Sequence, residues 1–378
     1  MISALRPERF PWFDYSRYTF SLGLDLGGTA LLSGHSASEY DGAERRFVVK
    51  GDLAEQTRTA YAKIEAILGA AGLHLDDVVR VVEYVTLRGV DDYAAADRVR
   101  RELLGTRPVV NTVCVDRLLR PEALIEIEVV AAKGPAPQAT AVDGIVYLPS
   151  QLPLDDAGRI VGDDLVAQAR AVYERAGRAL RAAGLGWDHV TKTLDYITPA
   201  GLAAYRQTAQ VRRDHLGPVF PAAAGIVMTR LAHPDALIQL DIIASRHMPV
   251  AVDPGWERYK KLTYSPAVRA GNVVFLSGQA ALDPATEKAV AEGDVVAQAE
   301  YTYTNVLAVL RAAGLGPRSI VKTIEYVTPA GLGRYRETAA VRARLLAVPY
   351  PASTGIVCER LLRPEFEIEV DALAIAVS

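Results

Sequence analysis

The chain has 378 residues, half of them apolar, 42 basic against 45 acidic side chains, a net charge of −3 and a pI near 6.1. Such a chain is long enough for two or three globular domains, carries no basic patch of the kind nucleic acid requires, and has no apolar run long enough to cross a bilayer. Its polar, aromatic start does not read as a signal peptide, and its two cysteines, Cys114 and Cys358, fit a reducing compartment, so a cytoplasmic protein with a small-molecule partner is expected.

One segment recurs three times in chain order. Each copy opens on a strand-like apolar stretch, at residues 27–35, 144–151 and 271–279. A helix follows, preceded by Asp52, Asp164 or Asp294, whose short carboxylate suits a helix N-cap; Glu55 completes a capping-box pattern in the first copy. Each helix ends at Ala-Ala-Gly-Leu, where Gly72, Gly184 or Gly314 can adopt the left-handed conformation that closes a helix.

A strand around Tyr84, Tyr196 or Tyr326 comes next, then a second helix starting near Asp92, Ala203 or Gly333. Pro108, Pro221 and Pro351 introduce another strand, and a last strand alternates with period two. Each copy is β-β-α-β-α-β, an α+β sandwich with a sheet on one side and two helices on the other. Linker-rich stretches at 133–141 and 246–261 divide the chain into repeats at 1–133, 134–247 and 248–378.

The third copy, through residues 264–279, 312–316, 321–327 and 350–374, closely resembles the Rid/YjgF family, and the other two resemble it more loosely. That resemblance implies a fold similar to a bacterial chorismate mutase and a trimeric barrel with helices outside and a ligand cleft at each subunit interface. With three copies in one polypeptide it implies a pseudo-trimeric monomer. Family members that hydrolyse enamines and imines hold the substrate carboxylate with an arginine two residues after the strand proline and use a glutamate on the last strand to place or activate water.

In this chain the arginine position falls on Val110, Ala223 and Ser353, and the glutamate position on Glu126, Gln239 and Glu369. The anchor is lost in all three copies; the acid survives in two. The expectation is therefore a Rid-like enzyme acting on a reactive enamine, imine or enol ether, with Glu126 or Glu369 as general acid or base, and not a standard 2-imino acid deaminase. The alternatives are a chorismatase-like lyase or hydrolase and a non-catalytic binding protein. Cys114 and Thr112 share a strand face with Val110 and are expected to face the cleft, with Cys114 a candidate thiol. His35 stands where the third copy has Gln279, at the mouth of the turn, and is a further catalytic candidate beside a solvated or structural reading. Tyr264, Gly278, Ser353 and Gly355 match family cleft positions, and the small ones are expected to leave room for a ligand. With no HExxH, HxH or CxxC spacing, no metal or other cofactor is expected.

Overall fold

In a computed structural model, which describes residues 2–134, 141–142 and 144–376, each repeat builds one sheet and covers one face of it with helices. Residues 135–140 of the first linker lie outside the described residues. The inner strands Val78–Thr86, Val190–Ile197 and Ile320–Val327 each run antiparallel to a last strand, Ile125–Ala132, Ile238–Ser245 and Ile368–Ile375. On their other side they run parallel to an edge strand, Val109–Val115, Ala222–Val227 and Ala352–Val357. The register repeats: Tyr84 lies opposite Glu126, Tyr196 opposite Gln239, and Tyr326 opposite Glu369.

The first helices, Leu53–Gly69, Leu165–Ala182 and Val295–Ala312, start where their caps are written. Asp52 accepts the Glu55 amide at 2.9 Å while Glu55 accepts that of Asp52 at 2.9 Å, a complete capping box. Gly72, Gly184 and Gly314 close the turns after these helices with φ of 63°, 73° and 72°. The second helix departs from expectation in two copies. It is continuous over Tyr93–Leu104 in the first repeat, but the others form a short turn of helix at Pro199–Leu202 or Pro329–Leu332 and resume at Ala209–His215 or Thr338–Leu345. Proline at the first helical position starts that short turn, because its fixed φ suits a helix and its missing amide hydrogen would have had no partner there.

Three apolar cores each belong mainly to one repeat, between its sheet and its helices. Two more are shared by all three repeats; one of them gathers Tyr84, Tyr196 and Tyr326 with Val115, Met228 and Cys358. Among the described residues the strands do not pair into the closed barrel that the resemblance implies. They form three main sheets that exchange short strands: Arg117–Leu118 joins the third repeat's edge strand, and Arg360–Leu361 joins the second repeat's. Arg230, their counterpart, reaches Asp91 of the first repeat at 2.9 Å. The arginines that recur in all three copies are thus parts of the seams between repeats.

The shared interior also carries charge. Lys192 pairs with Asp371 at 2.8 Å and Lys322 with Glu128 at 2.7 Å, each across a seam, and the Arg80 charge acts on Asp241 at the third. These six line an internal cavity of about 80 Å³ together with Tyr84 and Tyr196, space for a few water molecules.

Candidate active site

Each seam is stitched by the edge strand of one repeat and the opening turn of the next. Between the first and second repeats, Asn111 donates to Leu148 O at 3.1 Å and to Ser150 Oγ at 3.2 Å. Between the second and third, the Ala223 amide donates to Ser277 Oγ at 2.8 Å and the Gly278 amide to Ala223 O at 3.0 Å. Between the third and first, the Ser353 amide donates to Ser33 Oγ at 2.8 Å and the Gly34 amide to Thr354 Oγ1 at 3.0 Å. Two of the former arginine positions thus lie at seams, and the Ser353 hydroxyl accepts from Thr323 at 3.0 Å.

The last-strand residue decides what each seam can do. Gln239 donates its amide to Thr112 O at 2.9 Å and to Ser150 Oγ at 3.2 Å, so it ties the first seam shut. The side chains of Glu126 and Glu369 make no hydrogen bond to the described residues. Each carboxyl sits over a glycine, Gly34 or Gly278, where a Cβ would overlap its Oε1. In the second repeat Ser150 takes that place, and its hydroxyl meets the glutamine instead. Acid over glycine at two seams, and amide beside serine at the third, is one local design in two chemical versions.

Burial is the largest cause that pushes the Glu126 and Glu369 carboxyls up to about 8, and the neighbouring Glu128 and Asp371 charges add to it. Lys322 and Lys63 oppose the shift at Glu126; Lys192 and Arg258 oppose it at Glu369. Both acids therefore change protonation near neutral pH, where a general acid or base works best. The shift has a stability consequence with a definite sign. The folded chain holds these protons between about pH 4.5 and 8 while the unfolded chain releases them, so this contribution to stability is present at low pH and lost as pH rises through that window. Between the two ends of this window the melting temperature of the wild type is expected to fall relative to that of the E126Q/E369Q double variant. Parallel curves by scanning calorimetry would contradict the assignment.

The other expected site residues separate into those near the acids and those turned away. Tyr264 stands near Glu369: its ring packs edge-on to Tyr259 at 5.5 Å between centroids, and the charges of Arg258 and Glu369 both act on its hydroxyl. Gly278 lies at the same seam; Ser353 and Gly355 lie at the other. Gly355 does not leave room for a ligand, since a Cβ there would meet the Tyr335 hydroxyl at 2.6 Å and Leu119 at 2.9 Å. Gly278 likewise accommodates the Glu369 carboxyl.

Thr112 meets Gln239 at the first seam through its carbonyl; its hydroxyl is bonded to Tyr93 at 2.7 Å, on the helix side of the sheet. Cys114 shares that side and is 2% exposed in the core of the first repeat, where burial pushes its thiol up to about 11. A thiol so placed is a small apolar filler and a poor nucleophile. Alternation groups Thr112 and Cys114 on one face correctly, but that face is the helix-covered one and not a cleft. His35 lies opposite Ile127, is 3% exposed, and bonds Leu22 O through Nε2 at 3.0 Å; burial pulls its ring down to about 3 and keeps it neutral. That placement is structural, not catalytic.

Two further groups have no counterpart among the residues expected from sequence. Behind each sheet lies a buried acid and arginine: Glu83 with Arg100 at 2.6 Å, Asp195 with Arg212, and Glu325 with Arg342 at 2.7 Å. Tyrosines join them, Tyr61 and Tyr93 on Glu83, Tyr303 and Tyr335 on Glu325. Asp195 is one methylene shorter, and the Tyr173 hydroxyl and one Asp195 oxygen are left without hydrogen-bond partners. The threefold recurrence of an acid directly before the inner-strand tyrosine is the signal that could have found this group.

The second group is Trp256, Arg258 and Tyr259, at a short 3-10 turn, Glu257–Lys261, within the second linker. Trp12 and Tyr15 precede Gly34 at the same offsets by which Trp256 and Tyr259 precede Gly278, so the linker and the N-terminal extension share one pattern. Arg258 has Asp14 as its counterpart, and Tyr264 has Phe20. The two acid-bearing seams are consequently unequal: Arg258 and Tyr264 stand near Glu369, and Lys63 near Glu126. Among the described residues no group of three or more histidine, cysteine or acidic side chains could hold a metal ion, and no helix is long and apolar enough to cross a membrane.

Residues 15–133, 132–246 and 259–376 each match the model of the family described as Endoribonuclease L-PSP. Protein DfrA of Myxococcus xanthus is 38% identical over 136 residues, which cover 35% of this chain and 94% of that protein. The 2-iminobutanoate/2-iminopropanoate deaminase of Salmonella typhimurium is 34% identical over 139 residues, 35% of this chain and 95% of the deaminase. Each of these relatives spans about one repeat. A crystal structure of chorismatase matches at larger scale, with a TM-score of 0.54 over 79% of this chain and 93% of that one; at 16% identity it is similar in fold.

Proposed function

The chain belongs to the endoribonuclease L-PSP family, and from that premise we propose that it is a Rid-like hydrolase of reactive enamines or imines whose principal site is the seam between the second and third repeats. The observation that carries the proposal is the Glu369 carboxyl, buried, without a hydrogen-bond partner among the described residues, and poised near neutral pH. The three repeats would act as a pseudo-trimeric monomer with domains at 1–133, 134–247 and 248–378, in the cytoplasm.

The chemistry follows from a protonated acid. Glu369 donates its proton to the imine nitrogen, or to the β-carbon of an enamine, and the resulting iminium carbon accepts water. The Glu369 carboxylate takes the proton that water releases, and the carbinolamine collapses to a carbonyl compound and ammonia. The acid ends as it began. Because the protonated form starts the cycle, kcat/KM is expected to fall as pH rises through about 8. Glu126 would serve a second site, and Gln239, which cannot exchange a proton, would leave the first seam a joint.

The chorismatase likeness in fold across 79% of the chain favours a second reading, cleavage of an enol ether by the same acid. Incubating the purified protein with 2-aminoacrylate generated in situ, and separately with chorismate, distinguishes them: faster release of ammonia and pyruvate from the first, loss of the chorismate chromophore from the second. Turnover of 2-aminoacrylate that survives both E126Q and E369Q would overturn the glutamate mechanism.

A further inference from the structure

The seam that contains Glu369 lacks the arginine expected at position 223, yet it does not lack a guanidinium. Arg258 enters it from the linker turn. Its Cζ lies 5.2 Å from the centre of the Tyr259 ring, its guanidinium lies against the Tyr264 hydroxyl, and its charge acts on Tyr259, Tyr264 and Glu369 together. Tyr259 is itself held at the seam by Gln279, which donates to its hydroxyl at 3.4 Å.

What sets Arg258 apart is that neither a carboxylate nor a backbone carbonyl of the described residues accepts from its guanidinium. Its Nε is buried and unbonded, and no carboxylate of the described residues lies within ion-pair distance of it. Arg175, Arg230 and Arg269 also leave Nε unbonded, but their other nitrogens donate to Leu154 O, Asp91 and Ala313 O. The neighbouring Glu257 is already paired with Lys260 at 2.6 Å. A buried guanidinium donor without an acceptor costs free energy unless something supplies one, and the guanidinium fork matches a carboxylate through two parallel hydrogen bonds. Asp14 at the matching position of the N-terminal extension caps the Ser16 amide instead, so the feature is confined to one seam.

We propose that Arg258, assisted by the Tyr264 hydroxyl, is the anion anchor of the seam between the second and third repeats, and that the ligand bound there is a small carboxylate whose reactive carbon is presented to Glu369. The proposal rests on the reading of that seam as the principal site. It gives a linker residue the task that the strand position, now Ala223, no longer performs.

The test is binding, measured apart from turnover. 2-Oxobutanoate and its uncharged analogue 2-butanone are titrated by calorimetry or ligand-observed NMR into the full-length wild type, E369Q, R258Q and R258K. Wild type and E369Q are expected to bind the acid alike, while R258Q loses about 10- to 100-fold in affinity for it, R258K loses less, and weak binding of the ketone is unchanged. Circular dichroism establishes that each variant is folded; if R258Q is not, R258K against wild type carries the comparison. Acid binding that is the same in wild type and the folded arginine variants, or absent from the wild type at millimolar ligand, overturns the proposal. If E369Q leaves turnover intact while R258Q abolishes acid binding, the anchor stands and the catalytic reading falls.

Discussion

Glu369→Gln lowers kcat by about 100-fold or more and leaves the fold intact. The substitution is nearly isosteric, the carboxyl has no hydrogen bond to lose, and glutamine already occupies the equivalent place at residue 239. What it removes is a proton that can leave and return. A carboxamide can still donate a hydrogen bond to a bound carbonyl, so KM is expected to change much less than kcat. Glu126→Gln should cost less, because its seam has Phe20 where the other has the Tyr264 hydroxyl, and Asp14 where the other has Arg258. Steady-state kinetics on the two single variants and the double variant decides the ranking. A larger loss from E126Q than from E369Q would move the principal site to the seam between the third and first repeats.

Arg342→Ala is the substitution expected to unfold the protein most readily, at a cost of about 3 to 5 kcal/mol. Arg342 is buried against Glu325, which also accepts from Tyr303 and Tyr335. Removing the cation leaves a carboxylate buried without its counter-charge, held only by the two tyrosine hydroxyls. Replacing both partners, as in R342M/E325Q, should cost less than the sum of the single changes, since no charge is then left buried alone. Arg212→Ala should be milder than Arg342→Ala, because the second repeat's network already lacks the bond between Asp195 and Tyr173. Chemical denaturation of these variants tests both statements. Equal losses from R212A and R342A would show that the orphaned atoms of the second repeat do not weaken its network.

The legible part of the molecule is the part governed by neighbours in sequence. Asp52, Asp164 and Asp294 cap their helices, and the glycines that follow those helices take positive φ, because capping and turn formation involve residues a few positions apart. The frame that places Glu126, Gln239 and Glu369 in register also holds, since each faces the same inner-strand tyrosine. Alternation reaches its limit at the next step. It groups Val110, Thr112 and Cys114 on one face but carries no information about which side the helices cover, so Cys114 is expected in a cleft and lies in a core. Small residues mislead for a related reason. Gly278 and Gly355 are empty in sequence but are filled in space by Glu369 and by Tyr335 and Leu119, which no local pattern brings to them.

By itself, then, the sequence determined three copies of one α+β unit, the family they belong to, and the two acids that survive among three equivalent positions. These are matters of period, spacing and side-chain type. Only the tertiary structure decided how the three positions differ in their surroundings: the Gln239 side chain bonds across a seam, those of Glu126 and Glu369 do not, and Arg258 comes from a linker to stand by one of them. The physical reason is that a seam is made by residues of different repeats, far apart in the chain, whose burial, charge and unmet hydrogen bonds exist only once the repeats have packed together.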